Sequence, residues 1–399
     1  MGKLAQRTHA VDTSGIRKVF DLAARLENPV NFSIGQPDFD VPEPVRAAAT
    51  DAIRAGRTRY TATQGIDTLR EGIRTLMQQT RAWDPEEVFI TSGVSGGLLL
   101  AVLALIDPGD EVLIPDPFFL SYKQLTRVVG ATPVYVDTYP DFRLTAERLE
   151  RAVTPKSKVL FLNSPANPTG AVYDAADLEA VAEVCRRHDI QVVSDEIYDA
   201  FCYDAPHVSI TRFLSETLLL GGFSKSHAMT GLRLGYACGP NAILQAMLKL
   251  QQISYVCAPT PVQEAGLTAL TSDISTHIDT YRRKRDLIYE GLKDHFEVTK
   301  PAGAFYVFPR VPSGTDAAFV ERAIAKGCLV IPGSVFSERD THFRISYATG
   351  DAEIVRGVEI LKSLVLNVLW KPGGGFFEFA CIAGRKTPKC LFYPRGGSP

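Results

Sequence analysis

From about residue 66 to about residue 250 the chain alternates short β-branched or leucine-rich runs with stretches whose apolar residues recur at helical spacing. The runs predict strands at 88–91, 111–114, 132–136, 159–163, 191–194, 218–221 and 234–238. Helices fill the gaps. Over 177–188, for example, Leu178, Val181, Ala182 and Cys185 share one face while Glu179, Glu183 and Arg186 fall elsewhere. This alternation predicts an α/β fold on a mostly parallel sheet. A long polar helix dense in Arg and Lys is expected over 275–296, leading into a second unit with strands at 304–308 and 343–347. Sheets of this kind present ligands to the crevice at the carboxyl ends of their strands. The residues just past those ends are therefore the candidates for chemistry: Ser92 and Gly93, Pro115 and Asp116, Asn163, Asp195, and Gly222 to Lys225.

The 399 residues suffice for two domains, or for one large α/β domain with a smaller companion. A net charge of -2 leaves no basic field for nucleic acid and no polybasic membrane signal, so any phosphate must be held locally. The seven cysteines are dispersed and contain no CxxC pair, which suits reduced thiols. The opening residues lack the apolar core of a secretory leader, and the longest apolar run, 98–106, is too short to span a bilayer. A cytoplasmic protein without membrane or nucleic-acid partners is expected. From 371 to 399 the composition changes, and a disordered or atypical tail is expected; the spacing of its Cys381 and Cys390 does not support a metal site.

Candidate chemistry concentrates between Gly221 and Arg233, where one lysine sits on a small-residue turn with an arginine eight positions later. A covalent lysine needs its amine free to condense with a carbonyl, and a guanidinium grips a phosphate dianion in two-pronged fashion. Lys225, flanked by Ser224, and Arg233 thus suit a phosphorylated aldehyde. The plain alternative is a surface lysine in a loop.

The other post-strand residues meet the needs of amino-acid chemistry on pyridoxal 5′-phosphate. A lysine of pKa about 10.4 is neutral only about once in a few thousand at pH 7. A Schiff base to the cofactor removes that handicap, and the amine released on exchange with substrate serves as a general base beside Cα. Asp195 is placed to face a protonated ring nitrogen, although an aspartate at a strand-to-helix turn is also a common helix cap. Tyr198 and Asn167 are placed to donate to the phenolate oxygen. Gly93, Val94 and Ser95 open a helix directly after a strand, where N–H groups and the helix dipole favour phosphate. Phe118 or Phe119 would cover the ring. Arg344, on a predicted strand, would be costly to bury without a partner, which makes it the candidate for a substrate α-carboxylate.

In this order the motifs resemble those of the class I and II pyridoxal-phosphate aminotransferases of fold type I, over roughly 13–365. The 35–39 segment, Gly-Gln-Pro-Asp-Phe, resembles the family's substrate-side glycine loop, and 60–65 resembles the segment whose tyrosine reaches a neighbouring subunit's cofactor phosphate. The resemblance implies that Phe119 stacks on the ring and Asn167 and Tyr198 bind its oxygen. Asp195 would pair with the ring nitrogen, Lys225 carry the Schiff base, Arg233 hold phosphate, and Arg344 and Gly35 meet the substrate. It implies a homodimer with Tyr60 acting across the interface. It also implies a seven-stranded large domain over 46–285 and a smaller α+β domain from 1–45 and 286–370. The 14–20 opening and the turn around Lys225 look most like the prokaryotic aspartate and aromatic aminotransferases. The expected reaction is ping-pong transfer of an α-amino group from aspartate or an aromatic amino acid to 2-oxoglutarate or another 2-oxo acid. The sequence departs from relatives at Gly222, where many carry serine, and in having no cation near Ser95 or within 252–258 for a distal carboxylate. A C–S β-lyase of the same fold is the rival reading. A transcription-regulating module of this fold is disfavoured, because 1–40 has no room for a helix-turn-helix domain.

Overall fold

A computed structural model describes residues 4–11 and 26–366. The expected tail at 371–399, its two cysteines and the 14–20 motif lie outside the described residues. Seven strands form the main sheet: β2 (Glu87–Thr91), β3 (Glu111–Asp116), β4 (Thr132–Asp137), β5 (Ser157–Asn163), β6 (Gln191–Asp195), β7 (Leu218–Gly222) and β8 (Gly235–Gly239). Their order is β2-β8-β7-β6-β5-β3-β4, and β8 alone runs against its neighbours. All seven predicted strands are present, most of them a residue or two longer than the apolar runs.

Both faces of this sheet are covered, which explains why its strands read as continuous apolar runs. Successive side chains point to opposite faces. Val159, Phe161 and Val193 join one buried cluster, whereas Leu160, Leu162 and Val192 join another with Leu178, Val181 and Cys185 of the helix Ala175–Arg187. That helix starts two residues earlier than predicted because Asp174 caps it, accepting from the Asp177 N–H at 2.8 Å.

Outside the main sheet the chain departs further from expectation. The segment 304–308 is strand only at β9 (Tyr306–Val307), since Ala304 has φ +53°. It pairs with β12 (Phe343–Ser346), which also pairs with β11 (Ile331–Pro332). A further two-stranded piece, not foreseen, pairs β1 (Val30–Asn31) with β10 (Cys328–Leu329). The long polar helix is Ser275–Leu292, four residues shorter than predicted, and its basic residues are not all solvent-facing. Lys284 and Arg285 are buried with Tyr281 and Ile288, and Arg285 makes two 3.0 Å hydrogen bonds to Asp204. No helix among the described residues is long and apolar enough to cross a membrane.

Candidate active site

Strand β7 delivers the chain into the turn that carries Lys225, whose Nζ donates to the Gly35 carbonyl at 2.7 Å. Burial, reinforced by the guanidinium groups of Arg344 and Arg233, pushes this amine down to about 8. Arg233 donates to the Thr230 carbonyl at 2.8 Å and lies against Gly93, the first residue of the helix Gly93–Leu105. Gly93 has φ +68°, and a Cβ there would sit 2.5 Å from Arg233 Nη2. Only glycine lets the guanidinium approach the helix start this closely. Ser92, at the N-cap, makes no side-chain cap, so the first-turn N–H groups and the Arg233 cation together form an anion cradle.

Asp195 ends β6 and leads into a turn rather than a helix, which removes the helix-cap reading. It is buried, and no cation among the described residues lies within ion-pair distance of it. Its Oδ2 accepts from the Tyr122 hydroxyl at 2.7 Å, and its Oδ1 from the Ile197 N–H at 3.2 Å. Burial pushes this carboxyl up to about 6 despite those donors. Tyr198, on the same turn, shares a 2.8 Å hydrogen bond with the Tyr306 hydroxyl. Asn163 holds the neighbouring loop by accepting from the Asn167 N–H and donating to the Asp195 carbonyl, both at 2.9 Å.

Arg344 comes from β12, outside the main sheet, and is fully inside the protein without a carboxylate partner among the described residues. Nη1 donates to Asn167 Oδ1 at 3.1 Å and Nη2 to the Ser33 carbonyl at 2.7 Å, while Nε has no partner. The Tyr306 and Phe336 rings flank the guanidinium at 4.8 and 4.5 Å. Gly35 belongs here by close approach, because a Cβ at this position would collide with the Tyr306 hydroxyl.

One cavity of about 270 Å³ gathers Gly35, Val94, Ser95, Phe119, Asn167, Asp195, Tyr198, Ser224, Lys225, Arg233 and Arg344. Gly93 backs the cavity through Arg233, and Phe118 packs away from it against Tyr135. Tyr60 is not in the cavity and is 80% exposed on this chain. Tyr122 and Tyr306 also line the cavity. Neither stood out in the sequence: Tyr306 sits in an aromatic run that reads as core, and Tyr122 in a mixed helical stretch between Ser121 and Lys123. Behind the Asp195 turn, buried Glu196 meets Arg81 at 3.2 Å, His207 at 2.8 Å and Ser209 at 2.5 Å. Burial alone would raise Glu196, but His207 and Arg81 hold it at about 2.

This donor set fits pyridoxal phosphate. The cradle at Gly93 suits a dianion, burial disfavours the Lys225 ammonium, and the buried Asp195 carboxyl suits a cationic ring nitrogen.

Comparison with known proteins agrees. The family described as "Aminotransferase class I and II" matches residues 27–360. A probable aspartate aminotransferase of Methanocaldococcus jannaschii is 37% identical over 90% of this chain and 99% of its own length. The aspartate/prephenate aminotransferase of Thermus thermophilus is 38% identical over 90% of this chain and 98% of its own. The solved structure of a Thermus thermophilus aspartate aminotransferase with maleate superposes with a TM-score of 0.88 at 36% identity, covering 91% of this chain and all of that one. The fold is that of the fold-type I enzymes. The chain belongs to the class I and II aminotransferase family and is a pyridoxal-phosphate-dependent aminotransferase.

Proposed function

We propose that the enzyme moves the α-amino group of aspartate or an aromatic amino acid to 2-oxoglutarate, with Lys225, Asp195 and Arg344 as its central residues. The observation that carries this reading is their convergence on one cavity in which burial and two guanidinium groups disfavour the Lys225 ammonium. When bound, pyridoxal phosphate supplies a conjugated pyridinium that accepts the electron pair left when the substrate Cα–H bond breaks. Lys225 would hold the cofactor covalently and, once exchanged for substrate, take the Cα proton and return it on the cofactor side. Asp195 would keep the ring nitrogen protonated by its opposite charge. Tyr198 and Asn167 would donate to the phenolate oxygen, and Phe119 would cover the ring. Gly93, Val94, Ser95, Ser224 and Arg233 would hold the phosphate. Arg344, with Asn167 and Gly35 at its side, would take the α-carboxylate shared by every amino and 2-oxo acid. Apolar walls such as the buried Val94 and Leu98 keep water from these groups and strengthen the interactions between their charges.

The exposed Tyr60 ring supports a homodimer in which it completes the partner's phosphate site. The free thiols of Cys185, Cys238 and Cys328, all buried, suit a reducing cytoplasm. We also retain the division into a large unit over 46–285 and a small unit from 1–45 and 286–370. The substrate names rest on relatives: one is an aspartate/prephenate enzyme and another, from Thermococcus litoralis, an aromatic one. Following the bound cofactor's absorbance in single half-reactions with each of the twenty amino acids tests the reading. Conversion by aspartate or an aromatic amino acid, reversed by 2-oxoglutarate, is expected. Release of pyruvate and ammonia from cysteine conjugates without such conversion would replace it with the lyase.

A further inference from the structure

Both cations that would handle substrate donate to one short segment. Arg344 Nη2 bonds the Ser33 carbonyl and Lys225 Nζ the Gly35 carbonyl, each at 2.7 Å. Upstream, Phe32 is tied to β12 through its carbonyl, which accepts from the Ser346 N–H at 2.8 Å. Downstream, no backbone-to-backbone hydrogen bond among the described residues holds 33–41. Beyond those two contacts and the bonds of Ser33 to the Asn31 carboxamide, what holds this stretch is side-chain chemistry on the helix Ser275–Leu292.

Asp38 is gripped three ways there. Its N–H donates to the Tyr281 hydroxyl at 3.1 Å, and that hydroxyl donates to Asp38 Oδ1 at 2.7 Å. Lys284 Nζ pairs with Asp38 Oδ2. The next residue, Phe39, stacks on His277 with ring centroids 3.9 Å apart and planes within 7°. The Lys284 side chain is only 6% exposed, and a buried ammonium persists only when paired. Tyr281 in turn packs against Phe201 and Phe305, and Phe305 packs against Tyr198 and Tyr306 of the cavity wall.

We propose that Asp38, clamped by Tyr281 and Lys284, is a positioning residue that sets the Ser33–Gly35 carbonyls and so aims Arg344 at the substrate carboxylate. This rests on the reading that Arg344 takes that carboxylate. None of the clamp residues lines the cavity, so the effect passes through the segment and not through contact. The carboxylate is common to both half-reactions, so releasing the clamp weakens amino acid and oxo acid alike. The phosphate and ring-nitrogen contacts of the cofactor, which use residues outside this segment, stay.

The test is kinetic, on holoenzyme, with L-glutamate and 2-oxoglutarate as probes of the two half-reactions. Lys284→Met removes the charge and leaves the part-exposed Asp38 to water. Tyr281→Phe removes both hydroxyl bonds with little change in volume, and so reads the same clamp should the first variant fold poorly. Each is expected to raise the apparent dissociation constants for both probes by about tenfold, with the limiting rate and cofactor absorbance within about twofold of wild type. Lys284→Arg is expected to restore them. Unchanged constants with only a lowered melting temperature, a fall in limiting rate alone, or no rescue by arginine would overturn the proposal. A wild-type holoenzyme that turns over neither probe would instead bring down the substrate reading, and the clamp with it.

Discussion

At the scale of single residues the site depends on Lys225 and Asp195, both kept away from their ordinary charge balance by burial. Lys225 sits at about 8 because burial and two nearby guanidinium groups disfavour its ammonium form. Only the neutral amine attacks an aldehyde, and its fraction grows as pH rises through the pKa. Capture of pyridoxal phosphate by cofactor-free protein should therefore speed up with pH and level off just above about 8 in stopped-flow absorbance. A rate still climbing toward 10.5, the ordinary lysine value, would contradict that environment. Arg344→Ala should raise KM for all amino acids by about 100-fold, the loss expected for a charge-assisted two-pronged contact. An effect limited to dicarboxylic substrates would show that it binds a side chain instead. These residues were legible in the sequence because each is chemically expensive in its place: a lysine on a small-residue turn, a carboxylate at a strand end, an arginine in an apolar strand. Tyr306 was not legible because an aromatic ring in an apolar run costs nothing there, nor Tyr122 because a tyrosine in a mixed helical stretch is ordinary, and in both the hydroxyl's partner lies far along the chain.

Elements set those residues by where strands stop and helices start. The Gly93–Leu105 helix begins directly against the Arg233 guanidinium, so Gly93→Ala adds a methyl where no space exists, on a left-handed backbone. Cofactor release measured by dialysis or fluorescence should increase by about tenfold or more if the cradle is the phosphate site. An unchanged affinity would remove the phosphate from this end. Behind the Asp195 turn, Glu196 is held at about 2 against an ordinary 4.5. Between those values the unfolded chain binds the proton and the folded state does not. The stability it contributes is therefore present above about 4.5 and is lost as pH falls toward 2, on the order of 3 kcal/mol in full. Urea melts at about pH 5 and about pH 3 should show a smaller drop for Glu196→Gln than for wild type; equal drops would mean the acid sensitivity lies elsewhere. The seven long strands were readable because burial on both faces makes them continuously apolar. The two-residue strands outside the main sheet carry no such period, and the buried basic face of Ser275–Leu292 was hidden because Lys284 and Arg285 find their carboxylates on distant loops.

At the scale of the whole molecule the proposed dimer divides each site between two chains, Lys225 from one and Tyr60 from its partner. Lys225→Ala and a cofactor-deficient Tyr60→Ala protein, mixed after mild dissociation, should regain activity, because a hybrid contains one site with both residues intact. No recovery in a mixture shown to form hybrids would put Tyr60 outside the site. The account as a whole stands on the covalent anchor. Holoenzyme reconstituted with pyridoxal phosphate, reduced with borohydride and digested, should carry the pyridoxyl phosphate mass on the peptide containing Lys225. A label on any other lysine, or none at all, would contradict it.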